Sequence, residues 1–109
     1  MDIQVETCGH SRIVHIKGKV TFEYCSALQH RLDSFSEEGV QEVLIDFKMV
    51  PFIDSSGIGE ILRLYKRMRD INGEVILLNP NEKLRSLFSM YRLDQFMKIQ
   101  EQTGMDANE

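Results

Sequence analysis

Phe52-Ile53-Asp54-Ser55-Ser56-Gly57-Ile58-Gly59 stands between two segments of different periodicity. Before it lies Val43-Leu44-Ile45-Asp46-Phe47, an apolar run of strand length, and after it Ile58, Ile61, Leu62, Tyr65 and Met68 recur at helical spacing. The two serines therefore sit where a strand hands over to a helix. Gly57 and Gly59 open that helix, although each glycine costs about 1 kcal/mol relative to alanine in a helix. Such glycines suit a place where something comes close to the backbone. A hydroxyl beside the unpaired N–H groups of a first turn can cap the helix or carry a phosphate.

Downstream, this helix is expected over about residues 56–71, with Ser56 as its N-cap and Asn72-Gly73 as its stop. Val75-Ile76-Leu77-Leu78 reads as a second buried strand. Strand, helix and strand together require parallel pairing through a crossover connection. Asn79, Pro80 and Glu82 fit the N-cap, first and third positions of a short helix whose apolar side is Leu84, Leu87 and Phe88. Residues 91–97 can form a further helical turn, and 98–100 a last strand or an extended tail.

Upstream, residues 2–8 alternate apolar and polar, residues 9–12 make a turn, and 13–16 return as a strand, which predicts an antiparallel hairpin. His15 in that strand is expected as a satisfied sheet residue. A first helix is predicted over about residues 22–38, with Tyr24, Ala27, Leu28, Leu32 and Phe35 inward, Thr21 as a partial N-cap and Gly39 beyond its end. Cys25 is read as a small core or helix-surface residue. The strand at 42–47 is apolar enough to be covered on both faces. The expected architecture is a single α/β domain over residues 1–101, a mixed sheet of four or five strands with about four helices, followed by a polar tail at 102–109.

A chain of 109 residues with 42% hydrophobic content can bury one core, and no apolar run reaches the roughly 18 residues of a membrane span. The start Met1-Asp2-Ile3-Gln4 lacks the pattern of a secretory signal. Cys8 and Cys25 form no CxxC pair or disulfide framework, which suits a reducing cytoplasm. A net charge of −4 disfavours nucleic acid as a partner. His10, His15 and His30 lack metal-ligand spacing, so neither a metal nor any other cofactor is expected.

Around Ser55 and Ser56 the sequence is neither GxSxG nor a P-loop, and no histidine is tied to it as a base. An enzyme is not expected. Capping alone explains serine and aspartate before a helix, at about 1 kcal/mol each. Arg63, Lys66 and Arg67 make a basic stripe that serves as a solvated face or helps to dock an acidic partner. Leu64 falls off the apolar stripe and is expected on the surface, whereas Met49, Met68, Met90 and Met97 are expected as core filler.

Asp54-Ser55-Ser56-Gly57-Ile58-Gly59, with Val43 to Phe47 before it and Leu62, Tyr65-Lys66, Gly73, Val75 to Leu78 and Leu84-Arg85-Ser86-Leu87-Phe88 after it, resembles the STAS domain of bacterial anti-sigma factor antagonists. That resemblance implies a mixed sheet packed by helices and a phosphoacceptor at Ser55. It implies partner contacts at Thr21, Asp54, Ser55, Ser56, Gly57, Ile58, Gly59 and Arg63. The implied partners are an anti-sigma factor that is also a serine kinase, released by phosphorylation of Ser55, and a serine phosphatase that restores binding. Gly18-Lys19-Val20-Thr21 departs from the family's usual Gly-Glu-Leu/Ile-Asp at this point. The departure shifts weight toward the alternative, a STAS subunit of a transporter or signalling complex that is never phosphorylated, while the switch at Ser55 remains the leading reading.

Overall fold

The computed structural model describes residues 1–102. Residues 103–109, most of the tail expected from the sequence, lie outside the described residues. In chain order the elements are β1 (Asp2–Cys8), β2 (Ser11–Lys17), α1 (Phe22–Asp33), β3 (Glu42–Met49), α2 (Ser55–Asp70), β4 (Glu74–Leu78), α3 (Glu82–Met90) and β5 (Lys98–Gln100). Two short 3-10 turns follow α1 and α3, at Ser34–Glu37 and Leu93–Gln95.

The sheet runs β1-β2-β3-β4-β5, with β1 antiparallel to β2 and the other pairs parallel. The alternation in residues 2–8 becomes the edge of a hairpin whose turn is only Gly9-His10, since Ser11 already pairs with Cys8. The apolar runs at 43–47 and 75–78 become the neighbouring parallel strands β3 and β4, joined through α2. Of the two possibilities for residues 98–100, the strand is realised.

Period-two alternation decides which face of the sheet is buried. Val14, Ile16, Val43, Ile45, Phe47, Val75 and Leu77 join Leu28 and Leu32 of α1, Ile58, Ile61, Leu64 and Met68 of α2, and Leu84 and Phe88 of α3 in one core. Phe47 and Phe88 meet edge to face, with ring centroids 5.2 Å apart. All three helices thus lie on one face, and the expectation that β3 is covered on both is corrected. Its other face carries half-buried Leu44 and Asp46 and exposed Lys48.

Other expectations are corrected as well. α1 ends at Asp33, and the next turn tightens to 3-10 while keeping Phe35 in the core. Within α1 Ala27 is exposed and Cys25 buried, because the inward stripe runs through 25, 28 and 32. Leu64 is 2% exposed, not a surface residue, since its position three after Ile61 continues the inward stripe through Met68. Met68 and Met97 are buried, but Met49 and Met90 are exposed. Helix α3 starts two residues later than expected. Its N-cap is Asn81, whose Oδ1 accepts from Leu84 N at 2.8 Å, whereas Asn79 takes a left-handed conformation with φ 57°.

Candidate functional site

The site forms where two chain segments are stitched side by side. Gly18 N donates to Met49 O and Val20 N to Phe52 O, each at 3.0 Å, and Asp54 N donates to Val20 O at 3.1 Å. Val20 and Ile53 form an isolated parallel bridge within this stitch. The consequence is that α1 and α2 begin next to each other.

Asp54 joins the two helix starts. It is the N-cap of α2, so the N-cap expected at Ser56 is corrected: Asp54 Oδ1 accepts from Gly57 N at 3.0 Å, and both serines are already helical. Its second oxygen, Oδ2, accepts from Phe22 N at 3.0 Å. Thr21 occupies the N-cap position of α1 but gives no side-chain cap bond; its Oγ1 donates to Glu23 Oε1 at 3.2 Å. One carboxylate therefore satisfies an orphan N–H from each of two helices. Both positive dipole ends are directed at the same point.

Ser55, the first residue of α2, is exposed, and Ser56 is half-buried. Gly57 and Gly59 divide the two reasons for a glycine between them. A Cβ at Gly57 would lie 2.5 Å from Ile53 Cγ1 and 2.9 Å from both Val20 Cγ1 and Val20 O. The close approach there is made by the protein's own stitched segment. A Cβ at Gly59 would meet nothing within 4 Å, so this glycine, one turn beyond Ser55, leaves open backbone on the surface. Ile58 is buried in the core. The segments that meet here expose apolar side chains: Phe22 is 77% exposed, and Met49 and Phe52 are exposed as well. Sequence reading missed Phe22 because the first position of an amphipathic helix can face either way.

Arg63 lies two turns along α2 and is committed to α1. Its Nη1 and Nη2 donate to Asp33 Oδ1 and Oδ2 at 2.6 and 3.1 Å. Arg67 Nη2 donates to Ser36 Oγ at 3.0 Å and to Asp33 O at 3.3 Å. Asp33 ends α1, where the dipole disfavours an anion, and the two arginines offset that. The Arg63 hydrogen bonds hold the Asp33 carboxyl below the usual range, and Asp33 raises the guanidinium in return. The basic stripe seen in the sequence is thus mainly a clamp between α1 and α2. Burial raises the pKa of Glu60, whose Oε1 has no hydrogen-bond partner, and burial with Glu60 and Asp54 nearby raises that of Cys25. Cys25 is accordingly a poor nucleophile. Among the described residues no group of three His, Cys, Asp or Glu could hold a metal, and no helix is long and apolar enough to cross a membrane.

The STAS domain model matches residues 2–104. The chain belongs to the STAS domain family. Among similar proteins, a Thermotoga neapolitana homolog of TM1081 is 31% identical over 67 residues, which are 62% of this chain and 59% of that protein's length. A Staphylococcus aureus anti-sigma-B factor antagonist is 20% identical over 108 residues, 97% of this chain and 100% of that protein. The anti-sigma factor antagonist SpoIIAA has been solved unphosphorylated (TM-score 0.80, 20% identity, 98% of this chain and 94% of that one) and phosphorylated (0.79, 21%, 98% and 96%). This STAS domain has the same fold, and among the described residues its three α-helices and two 3-10 turns fit the expectation of about four helices. The Staphylococcus aureus relative and SpoIIAA are anti-sigma factor antagonists.

Proposed function

We propose that this STAS domain is an anti-sigma factor antagonist switched at Ser55. In the unphosphorylated form it binds an anti-sigma factor that is also a serine kinase, in the cytoplasm, and so releases the sigma factor. Phosphorylation of Ser55 ends that binding, and a serine phosphatase restores it. The partner surface consists of Thr21, Asp54, Ser55, Ser56 and Gly59, while Gly57 and Ile58 shape it from beneath and Arg63 fixes α1 against α2. The domain acts by binding and catalyses nothing itself.

The observation that carries this reading is the exposed Ser55 at the meeting point of two helix N-termini. A phosphoserine adds about −1.5 to −2 charges at neutral pH. At a helix N-terminus an anion is favourable by about 0.3–1 kcal/mol, so the domain itself tolerates it. The docked partner does not. A small hydroxyl beside open backbone at Gly59 becomes a bulky dianion next to Asp54, and burying it without a cation is costly. That SpoIIAA keeps one fold in both phosphorylation states accords with a switch that changes the surface and spares the core.

Incubating the protein with ATP and its cognate kinase should place one phosphate on Ser55 by mass spectrometry. Ser55→Ala should retain partner binding and Ser55→Asp should lose it, with both variants fully folded. Phosphate found elsewhere ends the proposal. Equal binding by both variants would instead make this a constitutive docking face, as in an unphosphorylated subunit of a larger complex.

A further inference from the structure

On the sheet face that carries no helix, His15 of β2 lies between two carboxylates from different strands. We propose that His15 is held there as an imidazolium whose second proton fastens edge strand β1 to the centre of the sheet, so that alkaline conditions loosen β1. Nδ1 is 2.8 Å from Asp46 Oδ2 on β3, and Nε2 is 2.8 Å from Glu6 Oε1 on β1. A neutral imidazole has one N–H and one lone pair. It could donate to only one of these carboxylates and would turn its lone pair toward the other. Both contacts therefore require both protons.

The two carboxylates are not equivalent. Asp46 Oδ1 also accepts from Asn79 Nδ2 and Lys48 N, both at 3.0 Å, and its side chain is largely covered. Glu6 is mostly exposed and has no second partner among the described residues. When the ring loses a proton it keeps Asp46 and releases Glu6. Position in the sheet decides which groups face the ring: Gln4 opposite it with Glu6 and Asp2 diagonally to either side on β1, Lys17 two residues along β2, Asp46 and Lys48 on β3, and apolar Leu78 beyond Asp46 on β4. The two contacting acids favour the charged ring, and the more distant lysines oppose it weakly. In accord with the geometry, the hydrogen bond with Glu6 raises the His15 pKa above 6.5, with burial opposing and Asp46 adding to the rise.

Because the folded pKa is raised, the stabilisation is complete below the unfolded value near 6.5 and disappears as pH rises through the folded value. Loosening would reach the serine side of the molecule. Met1, which leads into β1, lines a cleft of about 500 Å³ together with Gly18, Lys19, Thr21, Tyr24 and Phe52.

Nitrogen-15 NMR of the imidazole ring should show both His15 nitrogens staying protonated to higher pH in the folded protein than in the unfolded one. Amide protection factors in β1, corrected for intrinsic exchange, should fall as pH rises above 6.5 through the folded His15 pKa, by about tenfold for each unit by which docking of β1 raises that pKa. Glu6→Gln, an exposed change that leaves the core intact, should lower the His15 pKa and remove most of that fall. A ring that loses its second proton at or below pH 6.5 would overturn the proposal, as would β1 protection with the same pH dependence in the Glu6→Gln protein.

Discussion

The helices of this domain start in two different ways. α2 and α3 are each capped from three residues back in their own chain, Asp54 to Gly57 N and Asn81 to Leu84 N. α1 has no cap bond from its own Thr21, and takes its acceptor from Asp54, 32 residues away. A local cap adjusts the stability of one helix. A shared cap makes the start of one helix depend on the start of another. In this domain the shared cap lies directly beside the serine proposed as the switch, so α1 and α2 present a single surface there.

The comparison is broken most severely at Asp54. Asp54→Ala removes both bonds and leaves orphan N–H groups on two helices, each cap being worth about 1 kcal/mol. A loss of about 2–3 kcal/mol in urea denaturation is expected, against about 1 kcal/mol for Asn81→Ala, which removes one local cap. Equal losses for the two variants would mean that the bond to Phe22 N contributes nothing. Asp54→Asn should recover part of the loss, because the amide retains one good acceptor.

Gly57 and Gly59 sharpen the same contrast on α2. Gly57→Ala drives a methyl group into Ile53 and Val20, whose backbones are tied together, and overpacking of this kind costs about 1–3 kcal/mol. Gly59→Ala meets open space, so the helix gains about 0.5–1 kcal/mol from the better propensity of alanine. If a partner docks beside Ser55, that more stable variant should bind it more weakly. Thermal melts and a titration with the partner on the same samples separate the two effects. A Gly59→Ala protein that is both more stable and equally well bound would remove Gly59 from the docking surface.

How much of this was legible follows from the range of each interaction. The strand-to-helix handover at residues 52–59, the parallel β3–α2–β4 unit and the β1–β2 hairpin are local patterns, and the sequence shows them directly. The inward face of β1 follows from period-two alternation, but the unbroken apolar runs of β3 and β4 do not show theirs, and Val75 to Leu78 are all buried. The facts that needed three dimensions are those where a residue acts on a distant segment. Nothing in the order of residues says that Asp54 reaches Phe22, that Arg63 and Arg67 turn back to Asp33, or that Asp46 on an apolar strand meets His15. Asn79 and Asn81 are both acceptable caps before the same apolar run. The choice is made by Asn79, whose Oδ1 accepts from Gln102 N at 2.7 Å and whose Nδ2 donates to Asp46 Oδ1. Leu64 was misplaced because the reading followed Leu62 and Tyr65 around the helix, and the core instead takes 61, 64 and 68.

The smallest expected effect is the one that tests the asymmetry most directly. Threonine at an N-cap normally contributes about 1 kcal/mol through its side-chain oxygen. Thr21 holds that position without making that bond: its hydroxyl donates to Glu23, and the Tyr24 N–H goes to the Thr21 carbonyl instead of to the side chain. Thr21→Ala should therefore lower stability by no more than about 0.5 kcal/mol, the level of an ordinary surface change. The same substitution in an Asp54→Ala background should cost more than it does alone, since Thr21 is then the acceptor nearest in sequence to the first turn of α1. That difference is a double-mutant coupling between positions 21 and 54, measurable by urea denaturation of the four proteins. Additive losses would show that the start of α1 gains nothing from having two possible caps, and that Asp54 alone sets where the helix begins.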